Sequence, residues 1–333
     1  MLMKKRKIRL AAQLLVCVAA FAALMYLCRT KTVQADNSLV LAFAEAQQQA
    51  RDKITSFTLE MTESYQKSNS INGFSSEVTH TQTSQGCCVN IRRVDQIRVN
   101  ESGETQELDD RLVLNEEYLA TFGYPGTAHA YMWEHESIDS ISEYAKEHLV
   151  GLNPRNPMWY GFTVDTRDLA DMYDPARDDL WEVLEQTNGA TGSTKYLVRH
   201  YSNTEPRWLY LEIVVDPSKA FLMTHVTRFW KNGNVLREID VDLEEVAPGI
   251  WFPMAYEQTY HNKAGGKETT SRNVVTSLQV NIQVDPALFQ WQALDMAPET
   301  NVMRTDVSGE TEVFFPVDGE LYPWSVVQRW NTE

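Results

Sequence analysis

Two periodicities divide the chain. Over 39–51 (LVLAFAEAQQQAR), good helix formers share an apolar face behind the capping sequence Asp36-Asn37-Ser38, which predicts a helix. From Ile54 the period falls to two, with Ile54, Ser56, Thr58 and Glu60 opposing Thr55, Phe57, Leu59 and Met61. Further short strands are predicted at 75–83, 87–99, 110–121 and 128–134, separated by Gly, Asn or polar turns. A second helix is predicted over 137–149. After it, Pro154 and Pro157 interrupt both periods, so 138–180 reads as an irregular or helical insertion, either a lid or a long connector.

The second half alternates more clearly. Leu209, Leu211, Ile213 and Val215 share a face in 208–215. In 235–243, Val235, Ile239, Val241 and Leu243 oppose Leu236, Glu238, Asp240 and Asp242. Ile250, Phe252, Met254 and Tyr256 form a third row, and Val274, Thr276, Leu278, Val280, Ile282 and Val284 a fourth. Period-two alternation with one polar face means antiparallel sheet that is wet on one side. The sequences 231–234 (KNGN) and 263–267 (KAGGK) supply hairpin turns.

An apolar sheet face must be covered. The expected fold is therefore mainly β (α+β): a large bent antiparallel sheet, an unclosed half-barrel, with helices on its concave side. The candidate lining of that concavity is Leu209, Leu211, Ile213, Ile239, Val241, Phe252, Met254, Val274, Leu278 and Val280. The body spans 36–290. A tail, 291–333, has no clear period but carries the aromatic string VFFPVDGELYPW, and is expected to dock on the sheet.

The first 35 residues are a separate unit. Lys4, Lys5, Arg6, Lys7 and Arg9 precede an apolar run from Leu10 to Cys28 that only Gln13 interrupts. Val33-Gln34-Ala35 fits a signal-peptidase site cutting before Asp36. Left uncleaved, residues 10–28 approach the ~20 apolar residues that cross a ~30 Å hydrocarbon core. A signal peptide and a transmembrane anchor thus both stand, and both send the body out of the cytoplasm, to the periplasm or cell envelope.

Charge follows this division. The chain has 46 acidic and 30 basic residues, a net of −16. Residues 1–35 hold seven of the basic residues and none of the acidic ones, leaving the body at −23. So acidic a body argues against nucleic acid as a partner, since binding phosphates relies on Lys and Arg. Only Cys87 and Cys88 remain beyond the leader, and no disulfide framework is available. Adjacent strand residues face opposite ways, so a pair of buried thiols is the plain reading; a strained vicinal or an intermolecular bridge is the alternative.

Catalytic and metal signatures are sparse. No P-loop, dinucleotide fingerprint or G-x-S-x-G elbow occurs. His129, Glu134 and His135 lack the i, i+4 spacing of a helical zinc site, and the acidic series Asp165, Asp168, Asp171, Asp174, Asp178 and Asp179 lacks the calcium-loop order. No cofactor, metal or catalytic residue is assigned. Trp133, Trp159, Tyr160, Trp181, Trp208, Trp230 and Trp251 either line a ligand cavity or fill a large β core.

Three features carry a likeness to a known family: Val215-Asp216-Pro217-Ser218-Lys219 after a strand, Pro248-Gly249-Ile250-Trp251-Phe252-Pro253 opening one, and Val280-Asn281 leading to Asp285-Pro286-Ala287-Leu288-Phe289. With a helix entering a strand through Ile54-Thr55-Ser56-Phe57, residues 210–290 resemble the half-barrel Lol lipoprotein-carrier family. The resemblance implies an unclosed antiparallel barrel with a helical lid and an apolar cavity. It implies a non-enzymatic exported protein that holds a lipid or lipoprotein ligand. The other readings are a membrane-anchored structural or sensor domain with an envelope protein partner and, at low weight, an envelope hydrolase.

Overall fold

The structure is a computed structural model and describes residues 28–33, 38–68, 73–84, 86–99, 105–123, 129–135, 160–163, 167, 169–188, 192–297 and 300–330. The expected helix at 137–149 and the apolar run before Cys28 lie outside the described residues. Among the described residues, no helix is long and apolar enough to cross a membrane.

A short strand, β1 (Cys28–Val33), precedes helix α1 (Ser38–Asp52). Six strands follow: β2 (Ser56–Lys67), β3 (Gly73–Thr83), β4 (Gly86–Val99), β5 (Thr105–Leu114), β6 (Tyr118–Phe122) and β7 (Ala130–Glu134). After the single-turn helix α2 (Leu169–Met172) come β8 (Trp181–Asn188), β9 (Thr194–Tyr201), β10 (Leu209–Asp216), β11 (Leu222–Phe229), β12 (Val235–Ala247), β13 (Ile250–His261) and β14 (Lys267–Val280). The tail adds β15 (Val302–Thr305), β16 (Thr311–Val317), β17 (Glu320–Pro323) and helix α3 (Trp324–Trp330).

All 17 strands belong to one sheet. Its pairings form an open ladder: β1 on β8, then β8 to β14 in sequence, β14 on β2, β2 to β7 in sequence, β7 on β15, then β16 and β17. Every pairing is antiparallel except β7 with β15, and among the described residues none joins β1 to β17. The fold is thus the expected mainly β, unclosed half-barrel.

One face of the ladder carries the main core. Val183, Val198, Ile213, Val226 and Ile239 are successive cross-strand partners from β8 to β12, and all are buried. Phe57, Leu59 and Met61 continue that face on β2, and α1 packs against it through Val40, Phe43 and Ala44. The opposite face of β4–β7 holds a second cluster, in which Cys88, Val113, Tyr118 and Met132 meet Phe289, Leu294 and Val302. That part of the sheet is therefore buried on both sides.

Three departures from the sequence reading have local causes. The strand expected over 110–121 is two strands, because Asn115 Oδ1 accepts hydrogen bonds from the Glu117 and Tyr118 N–H groups at 2.9 and 3.0 Å and reverses the chain. Residues 28–33, expected to end an export segment, pair with β8 as an edge strand. Strands β8, β9 and β11 have no counterpart in the alternation, since Glu182, Glu185, Lys195 and Arg199 in the first two, and Thr224, His225 and Thr227 in the third, break up short apolar runs.

Candidate functional site

The three motif turns gather at one end of the sheet, where they dock α1. Asp216 Oδ1 accepts from Ser218 N at 3.0 Å, and the turn continues through Ala220 and Phe221 at φ +56° and +58°. Gln47 on α1 then donates from Nε2 to the Phe221 carbonyl at 2.9 Å, and Phe43 stacks on the Phe221 ring with centroids 5.3 Å apart. In the second motif, the Gly249 carbonyl accepts from Lys53 Nζ at 3.1 Å. In the third, Asn281 accepts from Thr55 N at 2.8 Å and donates to the Lys53 carbonyl at 2.8 Å. The first motif therefore fixes the middle of the helix against the sheet, and the other two fix its exit.

Beyond α1, a short stretch of the central insertion fills the same face. Tyr160 stacks on Tyr256 with ring centroids 3.8 Å apart, Phe162 is buried, and Met223 N donates to the Gly161 carbonyl at 2.9 Å. Gly161 has φ +91°, and a Cβ there would lie 3.2 Å from Leu243 Cδ2. A side chain at 161 would meet both a disfavoured backbone region and a tight contact.

Between α1 and this stretch opens a cleft of about 300 Å³, lined by Ala44, Gln47, Gln48, Phe162, Leu169 and Ala170. Its volume lies at the lower end of the range for small-molecule sites, about 300–1,000 Å³. The Gln47 Oε1 atom is buried without a hydrogen-bond partner, as are Ser76 Oγ and Asn273 Oδ1 further along the same face. Buried polar atoms are nearly always satisfied, so the Gln47 carbonyl, which lines the cleft, is a ready acceptor for a bound group.

The ten residues expected to line the concavity separate into three sets. Leu211, Ile213, Ile239, Val241 and Phe252 are buried in the main core, under α1 and the 160–162 stretch. Met254, Leu278 and Val280 are half-buried and pack against that core. Leu209 and Val274 do not share its face. In β14 the register shifts between Val275 and Ser277, so Val275, Leu278 and Val280 pair with Met61, Leu59 and Phe57, and Val274 turns to the other side with Thr62. A similar shift between Leu209 and Leu211 displaces Leu209 in favour of Tyr210. A bulge inserts one residue and reverses the facing of everything before it.

The aromatic residues mostly serve the core. Trp133, Tyr160 and Trp181 are buried, Trp208, Trp230 and Trp251 are half-buried, and Trp159 lies outside the described residues. Cys87 and Cys88 are free and point to opposite faces of β4; burial pushes the Cys87 thiol up to about 12, aided by its neighbour. His135 is buried with neither ring nitrogen bonded and lines a second cleft of about 410 Å³ with Glu134, Trp291 and Arg304. Burial holds its pKa below the ordinary imidazole value. Among the described residues no group of three or more His, Cys, Asp or Glu is placed to hold a metal.

One arrangement has the form of a hydroxyl–imidazole–carboxylate relay. His225 Nδ1 lies 2.7 Å from Asp240 Oδ1, and His225 Nε2 lies 2.8 Å from Thr227 Oγ1. It arises from register alone, because His225 and Asp240 are direct cross-strand partners and Thr227 is two residues along. It sits on the outer sheet face, where Thr227 is 5% exposed and the neighbouring strand N–H groups are engaged in the ladder. Acyl transfer needs an accessible nucleophile and convergent N–H donors in a cleft, which a flat, paired sheet face does not supply.

No protein-family profile matches the chain, and no curated protein matches it. Several solved structures resemble it. A DUF1329 family protein from Desulfovibrio piger is 12% identical, with a TM-score of 0.42 over 77% of this chain and 98% of its own. An outer membrane lipoprotein-sorting protein domain from Vibrio parahaemolyticus is 9% identical, with a TM-score of 0.41 over 77% and 99%. A LolA superfamily protein from Nitrosomonas europaea is 9% identical, with a TM-score of 0.40 over 77% and 99%. The functional reading rests on this chain's own residues.

Proposed function

We propose that this protein is a non-enzymatic, exported binding module that holds an apolar ligand, the acyl chain of a lipid or lipoprotein, between α1 and the inner face of its half-barrel. The observation that carries the reading is the cleft at Ala44, Gln47, Phe162 and Leu169, which opens beside the apolar floor and contains the unbonded Gln47 carbonyl. An acyl chain would enter there and displace Phe162, while an amide or hydroxyl of the ligand would donate to Gln47. Burying a methylene contributes about 0.8 kcal/mol, so micromolar affinity, about 8 kcal/mol, asks for at least about ten buried methylenes.

The test is binding of a fluorescent fatty acid to the purified chain, with native mass spectrometry of protein taken from its own host. Ala170→Trp, at an exposed position on the cleft wall, should fill the cleft and lower affinity at least about tenfold while the circular dichroism stays unchanged. Undiminished binding by that variant, or no binding by the parent protein, sinks the reading.

A second reading, a membrane-anchored envelope domain with a protein partner, is favoured by one observation. Strand β1 lies before the expected cleavage point and is paired with β8. Cleavage after Ala35 would remove an element of the sheet, whereas retention keeps residues 10–28 attached to the body as a membrane anchor. Sequencing the N-terminus of the mature protein decides between them: Asp36 speaks for a diffusing carrier and Met1 for the anchored form.

A further inference from the structure

The second cleft, of about 410 Å³, is built jointly by the body and the tail. Glu116 and Glu117 reach it from the β5–β6 turn, and Glu320 from the start of β17. All three are exposed, and among the described residues no cation pairs with their side chains. Glu134, at the end of β7, is already neutralised: Arg304 of β15 donates to its Oε1 from Nε at 2.6 Å and from Nη2. Four glutamates thus face one arginine, and the uncompensated charge is negative.

Acidic clusters are common on so acidic a chain, and this one is set apart by the side chain it shares the cleft with. His135 is 6% exposed, and neither ring nitrogen has a hydrogen-bond partner. Burial, opposed in part by the nearby Tyr118 backbone, disfavours the charged ring. A neutral imidazole carries one N–H and one lone pair. Even with the N–H turned to the Tyr118 backbone, the lone pair has no donor among the described residues. Buried acceptors are nearly always satisfied, so what the cleft lacks is a hydrogen-bond donor. The negative potential around it favours a donor that brings positive charge.

Much of the remaining lining is apolar, with Met132, Trp291 and Leu321. Trp291 is tied in place by its backbone N–H, which donates to Tyr118 Oη at 2.9 Å. An indole held there suits a cation or its methylene stem. Among the described residues no three His, Cys, Asp or Glu side chains are placed to hold a metal, so the charge fits an organic cation instead.

We propose that this cleft binds an organic cation, an ammonium or guanidinium on a short apolar stem, whose N–H donates to His135 while Glu116, Glu117 and Glu320 balance its charge. A free amine and the basic side chain of a polypeptide share this chemistry. The inference goes beyond the acyl-chain reading and does not depend on it, because the two clefts have no residue in common.

Ligand-observed NMR titration of the purified chain tests it with butylamine, neutral butanol and a blocked Ala-Lys-Ala peptide. Butylamine should bind about 10- to 100-fold more tightly than butanol, as expected for one hydrogen bond to a charged group. The surface double variant Glu116→Gln/Glu320→Gln should weaken the amine several-fold and leave butanol unchanged. His135→Phe, which keeps a ring but removes the acceptor, should do the same. Should that buried variant not fold, the glutamate variant still decides, together with salt: raising it from about 50 to 500 mM should weaken only the cationic probes. Peptide binding at least about tenfold tighter than butylamine supports the site with a polypeptide as its source, and equal or weaker peptide binding supports it with a free amine. Equal affinity for butylamine and butanol, amine binding indifferent to the glutamates, or no binding of either cation overturns the proposal and leaves the acyl-chain reading standing.

Discussion

The two ends of the half-barrel solve opposite problems. At the α1 end, side chains and turns are mutually committed: Phe43 against Tyr196 and Phe221, Gln47 to Phe221, Lys53 to Gly249, Asn281 to Thr55. At the far end, the arginine end, like charges meet across two strands where Arg228 on β11 opposes Arg237 on β12, and the nearby Tyr260 is 38% exposed. Outside the barrel, by contrast, Arg199 sits between Glu212 and Glu182, at 2.9 and 3.5 Å. Arg199 is thus ion-paired on the outer face, while Arg228 and Arg237 lie over rings on the inner one. One end is knit together by side chain-to-turn contacts, and the other sets like charges against aromatic rings.

That contrast predicts how stability is distributed. The largest loss should come from Phe43→Ala, which empties a buried aromatic site and should lower the unfolding free energy by about 3–5 kcal/mol in a denaturant titration. A loss under ~1 kcal/mol there would break the comparison, because α1 would then be an ornament rather than part of the core.

Next is a pH effect at the arginine end, where His200 meets Tyr210 edge-on. Burial first, and Arg167 second, lower the His200 pKa to about 4. Below the ordinary histidine value near 6.5 the unfolded chain takes up a proton that the folded one refuses. Stability should therefore be complete above about pH 6.5, decline as the pH falls toward 4, and level off below that. The decline is at most about 3 kcal/mol, less what solvent screens at this partly exposed ring. Thermal melts of the parent and of His200→Gln across this range should diverge; parallel curves would show that His200 contributes nothing.

Smaller still is Gly161→Ala, which forces a side chain into φ +91° and against Leu243. It should cost about 1–2 kcal/mol and weaken retention of the 160–162 stretch, read as faster hydrogen exchange at Met223 N. The smallest effect belongs to Arg237→Gln, which exchanges a like-charge contact for the loss of a ring contact and should shift stability by less than about 1 kcal/mol in either direction. The arginine end is then free to be altered without unfolding the protein, the reverse of α1.

The same contrast governs what the sequence reveals. The α1 end is legible because its parts are local motifs: the capping Asp216 two residues before Ser218, the Pro248-Gly249 turn, and Asn281 directly after Leu278 and Val280. The helix over 39–51 and the alternation over 235–243 are equally plain. The arginine end is not legible, because Arg228 and Arg237 meet only through hairpin register, and Tyr210 joins them only because the chain bulges between Leu209 and Leu211. Val274 shows the same limit from the other side. Its parity matches Leu278 and Val280 along the chain, yet one extra residue in β14 turns it away. Strict alternation reads facing correctly until the first bulge.

The open ladder has a further consequence. Among the described residues its two borders are β1 and β17, the first and last described strands of the chain. β17 is four residues long and ends in Pro323, while β1 carries Arg29 and Lys31, features that discourage another strand from adding on. The borders they cover are less guarded: β7 reads AYMWE, and β8 contains the run Trp181-Glu182-Val183-Leu184. Trimming the chain to 36–290 would bare both at once, giving each molecule two adhesive rims. β1 and β15–β17 therefore act as insulation for the strands beneath them, and removing either group invites the sheet to polymerise.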